Sequence, residues 1–218
     1  MEITADAPRV RPKLRGVLHA VGFVVAVVVG AVFVSATDGR RLVAAAVFAG
    51  SAATMLGASA LYHRITWSPS ARPRMRRVDH AGIYILIAGT YTPVGLLSLH
   101  GNIQRTVLGV VWAGAAAAIL TKICWVGAPK WLSAVFGITL GWVGIAAMPQ
   151  LAHSAGLAAV ALIAAGGVAY TLGAIVYARR RPDPIPAVFG YHEVFHALTL
   201  VALVCQYVAI ALFVVKVG

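Results

Sequence analysis

"VLHAVGFVVAVVVGAVFVSA", residues 17–36, decides the fold. It runs for 20 residues without a charged side chain. As α-helix, about 20 apolar residues cross the hydrocarbon core of a bilayer. A basic arm precedes the stretch and Val34-Ser35-Ala36 closes it, which imitates a secretory signal and its cleavage site. Its length is that of a span rather than of a signal core, so it reads as a retained first helix.

Working outward, six more runs have the same character: 42–63, 79–98, 106–124, 131–149, 156–178 and 191–215. The stretches between them carry turn and charge punctuation, among them "TDGRR", "WSPSARPRMRR" and "RRRPDPIPAVFG". Of 218 residues 61% are hydrophobic and 11% charged, a surface that water would not keep in solution. The expected fold is therefore all-α: a polytopic membrane protein whose residues 17–218 form one seven-helix transmembrane bundle behind a basic arm, residues 1–16. Glycine and alanine are dense in the fourth to sixth spans ("GAAAA", "GGVAY"), which permits close helix packing in lipid. Cys124 and Cys205 fall on different spans with no CxxC pattern and read as small apolar fillers.

The net charge of +12 would point to nucleic acid in a soluble protein. Here the basic residues sit in the arm and loops, so they speak of orientation and of anionic lipid head groups, and no nucleic-acid partner is expected. With the N-terminus placed in the cytoplasm, 14 of the 18 Lys and Arg residues fall inside; only Arg40, Arg41, Arg105 and Lys216 fall outside. The positive-inside bias argues for a cytoplasmic N-terminus and an external C-terminus, which requires an odd number of spans.

Ionisable side chains within a bilayer are costly, about 2.5–3.5 kcal/mol for Asp, Lys or Arg at a helix centre, and mark function. Of the six acids, Glu2, Asp6, Asp38 and Asp183 belong to the arm and loops, leaving Asp79 and Glu193 at spans. The topology puts His63 at the end of span 2, Asp79 and His80 at the start of span 3, and His192, Glu193 and His196 at the start of span 7, all on one side. His192 and His196, at i and i+4, share a helix face, as do Ser59 and His63. His19, His100 and His153 read as packing or interfacial histidines.

These residues carry a resemblance. "SALYHR", "DHAGIYILIAGTYTPV" (79–94), Gly141-Trp142 and "HEVFHALTLVA" (192–202) resemble the bacterial hemolysin III family, relatives of the progestin and adipoQ receptors and, more distantly, of alkaline ceramidases. The resemblance extends from Arg15 onward. It implies a multi-pass protein of the bacterial inner membrane. It also implies zinc held by His63, His192 and His196, with Asp79 and Ser59 beside it as the candidate catalytic pair. Relatives often carry an acidic, Asn-containing motif before span 1; "RPKLRGVLH" has no acid there.

"HEVFH" also fits the HExxH of zinc proteases, in which the Glu is the general base. Little chain follows to supply a third ligand, and a carboxylate in a first helical turn is explained by the helix dipole. Three neutral imidazoles leave the fourth position of zinc open, the catalytic arrangement, and zinc acidifies a bound water to a pKa of about 7. Asp79 is then placed to take the proton and Ser59 to donate or orient, on an amide or ester lipid entering between helices. A structural metal in a sensor or membrane-homeostasis protein, and a pore-forming hemolysin, stay open; zinc transport is disfavoured because one polar cluster lies on one side only.

Overall fold

The computed structural model describes residues 11–125 and 129–216; Arg9 of the arm and linker residues 126–128 lie outside them. Seven helical segments are long and apolar enough to cross a membrane. The described helices are α1 (Val17–Ser35), α2 (Gly39–Arg64), α3 (Arg72–Ser98), α4 (Gly101–Cys124), α5 (Lys130–Trp142), α6 (Met148–Ala155), α7 (Leu157–Arg179) and α8 (Tyr191–Val208). Neighbours in sequence pack side by side, and α1 meets α8 to close the ring. Helix α3 touches α2, α4, α5, α6 and the end of the last span, which makes it the centre of the bundle.

The expected spans are recovered with shifted ends. Helix α3 starts at Arg72, two turns before Asp79, so the aspartate sits inside a helix rather than at its start. Hydropathy reports where a helix enters lipid, not where it begins, and the exposed residues Arg72, Arg74 and Arg76 continue the α3 helix into water.

Span 5 was expected as one helix over 131–149. It is instead α5, a 3-10 segment over Val143–Ala147, and α6. The Tyr91 hydroxyl donates to Gly141 O at 2.6 Å and accepts from Gly144 N–H at 2.8 Å. An inserted side chain thus takes over main-chain groups of the helical ladder. Pro149 removes a further donor just beyond. The last span also changes its winding, from α8 into a π-helical segment over Ala209–Val214.

Candidate metal centre

Two helix ends build the site. Helix α2 stops where Ile65 turns extended, which leaves His63 in its last turn, and Trp67 Nε1 caps the carbonyl of Leu61 at 3.1 Å. Helix α8 begins at extended Gly190, whose N–H donates to Glu193 Oε2 at 2.9 Å, while Tyr191 N–H donates to Asp183 Oδ1 at 2.8 Å. Two carboxylates thus satisfy donors that a helix start leaves open. They set the first turns of α8 so that His192 and His196 aim at His63.

The arm closes over this end. Lys13 N–H and Leu14 N–H donate to Ala187 O and Val188 O at 3.0 and 3.1 Å, a two-rung clasp to the loop before α8. Arg15 Nε then donates to Glu193 Oε1 at 2.5 Å. Gly16 follows with φ +78°, and a Cβ there would run into Cβ of His63. Only glycine takes that backbone at no steric cost while the chain passes so near. Glu193 is fully buried, with one oxygen on the helix cap and the other on Arg15. Both oxygens are committed, so it is a structural carboxylate.

His63, His192 and His196 are buried, and their ligand nitrogens all lie within 4.8 Å of one another. His192 Nε2 is 3.1 Å from His63 Nε2. Two corners of a zinc tetrahedron with Zn–N near 2.0–2.1 Å are about 3.3–3.4 Å apart, so this pair is already spaced for a shared cation. His196 Nδ1 is buried with no hydrogen-bond partner among the described residues. Three convergent imidazoles on two helices fit a metal with nitrogen preference.

Asp79 stands beside them, Oδ2 being 3.7 Å from His63 Nε2. The structure thus gathers four of the expected site residues at one end of the bundle. Ser59 is buried near them, next to the Asp79 carboxyl, and its Oγ is 2.8 Å from His19 Nδ1. His100 and His153 are exposed, away from the cluster.

His19 is more than a packing residue. It is 2% exposed, and its ring stacks on that of His196 with centroids 3.7 Å apart and planes 8° from parallel. It therefore fixes a candidate ligand and the Ser59 hydroxyl at once. The available signal was depth: third residue of span 1, level with the histidines of spans 2 and 7.

One cavity of about 680 Å³ opens on the cluster. Its wall runs from Arg15, Arg76 and Lys122 past the histidines to Val94, Leu151 and Gln206. Among the described residues Asp79 is the only carboxylate on that wall.

The haemolysin-III-related family profile matches residues 8–207. The chain is 33% identical to a hemolysin-3 homolog of Bacillus subtilis over 159 residues, 73% of this chain and 71% of that one. It is 36% identical to hemolysin-3 of Bacillus cereus over 119 residues, 55% and 54% of the two chains. A heptahelical transmembrane protein of rice (Oryza sativa subsp. japonica), ADIPOR2, is 30% identical over 184 residues, 75% of this chain and 79% of the rice protein.

Proposed function

The chain belongs to the haemolysin-III-related family, and from that premise we propose that it is a zinc-dependent hydrolase of an amide or ester lipid. In this reading it lies in a bacterial inner membrane, with the arm and the histidine cluster on the cytoplasmic side. One observation carries the proposal: the three imidazoles and Asp79 line a cavity whose deeper wall is apolar, as a lipid chain requires.

His63, His192 and His196, which line the cavity, would hold the ion. Zinc bound there supplies Lewis acidity and a water acidic enough to ionise near neutral pH. Asp79, the one carboxylate on the wall among the described residues, accepts the proton of the attacking water and returns it to the departing amine or alcohol. Ser59 orients Asp79 and steadies His19, which in turn holds His196 flat. Water adds across the acyl C–N or C–O bond and yields a carboxylic acid with the amine or alcohol.

Metal analysis of the purified protein, paired with release of fatty acid from amide and ester lipids, tests this. His63→Ala should abolish zinc retention and hydrolysis together, and unchanged zinc content refutes the ligand assignment. Asp79→Asn should keep the metal and lower turnover by roughly 10²–10⁴. Zinc retained without turnover of any such lipid would make the metal a staple between spans rather than a catalyst.

A further inference from the structure

The mouth of the cavity has a charge that a neutral lipid does not require. Arg76, Arg77 and Lys122 line it, at the same end as the histidines. The described residues contain two carboxylate ion pairs, Arg15–Glu193 and His63–Asp79, and neither involves these three cations. The remaining described acids are distant or engaged: Asp183 accepts from Tyr191 N–H, and Asp38 is at the opposite end of α2. Arg77 Nε is buried without a hydrogen-bond partner among the described residues. Arg76 and Lys122, from α3 and α4, are near enough to repel each other. Cations brought together with no ion-pair partner among the described residues lower their energy by binding an anion, and a guanidinium does so with directed, charge-assisted hydrogen bonds.

Helix α3 shows how that charge connects to the metal cluster. Arg76, Asp79, His80, Ile83, Ile87 and Val94 follow at helical spacing along one wall of the cavity. The wall thus grades from cation to carboxylate to hydrocarbon over about four to five turns. Tyr177 bridges the first part: its ring lies 5.7 Å from that of His192, and it is in electrostatic range of both Asp79 and Arg76. An anion at Arg76 is therefore one aromatic ring away from the candidate ligands.

We infer that the site takes an acidic amphiphile, with a phosphate or carboxylate held at Arg76, Arg77 and Lys122 and its chain laid along the apolar wall beyond the histidine cluster. This deepens the hydrolase reading by naming the charge of its lipid, and it rests on that reading only for the chemistry, not for the binding.

The test uses the full chain in a nonionic detergent, with the fluorescence of Trp125 and Trp142, both on the cavity wall, as the signal. Dodecyl phosphate should bind about tenfold or more tighter than dodecanol, the margin of one or two charge-assisted hydrogen bonds. The triple variant Arg76→Gln, Arg77→Gln, Lys122→Gln should lose that preference while its zinc content and dodecanol binding are unchanged, which also shows that it is folded. His63→Ala should lose zinc and keep the preference, so failure of the metal reading and failure of this one are distinguishable. Equal affinity for phosphate and alcohol, or a preference that survives the triple variant, overturns the inference. Displacement of dodecyl phosphate by inorganic phosphate at equal concentration would show a site for the free anion and overturn the amphiphile.

Discussion

Glu193 and Asp79 are both buried carboxylates beside candidate metal ligands, and their neighbours give them opposite roles. Glu193 has both oxygens bound, to Gly190 N–H and to Arg15, whereas Asp79 faces the cavity. Glu193→Gln keeps an acceptor for the helix cap and removes the charge facing Arg15. It should cost stability, about 1–3 kcal/mol, and leave zinc content and turnover near wild type. A protease-like base at this position predicts a loss of roughly 10²–10⁴ in turnover instead. His19→Ala removes the ring stacked on His196 and the partner of Ser59 without removing a ligand. Zinc affinity measured by competition with a chelator should fall about 10- to 100-fold, as for other residues that orient metal ligands. The candidate ligands were legible because an ionisable group in lipid stands out and i, i+4 spacing is a helix rule. The place of His19 was not, since a lone histidine has no spacing partner and its contacts are with residues 40 and 177 positions away.

At the scale of elements, the site depends on how closely helices approach. Gly89 of α3 lies against Ser51 of α2, where an added Cβ would overlap the serine side chain. Gly89→Val would push apart the helices that carry Asp79 and His63. The expected outcome is a destabilisation of about 1–3 kcal/mol, typical of overpacking and read as a lower melting temperature, together with reduced zinc occupancy. Thermal melts and metal analysis on one preparation check both. Small-residue density announced close packing, but which glycine meets which helix follows from tertiary contact and no run of letters contains it. The break in span 5 is of the same kind: Tyr91 is 50 residues before the carbonyl it captures. The clasp of the arm to residues 187 and 188 was likewise invisible, because main-chain hydrogen bonds leave almost no trace in side-chain identity.

For the whole molecule, seven spans were readable from hydropathy alone because the bilayer imposes a length that few other structures need. A cytoplasmic N-terminus and an external C-terminus are what the charge asymmetry leads one to expect, and reporter fusions check it. Alkaline phosphatase joined after residue 218 should be active, and the same enzyme inserted at Ser68 should not. On the proposed function a metal would join α2 to α8, so chelation should lower the melting temperature and added zinc restore it. The stabilisation lost is about 4 kcal/mol when the free ion stands at 1,000 times its dissociation constant. The order of these helices also has a consequence for biosynthesis. His63 enters the membrane early, whereas His192 and His196 emerge from the ribosome only after residue 190. Residues 1–191 must therefore be made before the second and third candidate ligands exist. Under the proposed function, capture of an ion would thus be a late event in assembly, and a nascent chain would carry an incomplete set of candidate ligands until α8 is in place.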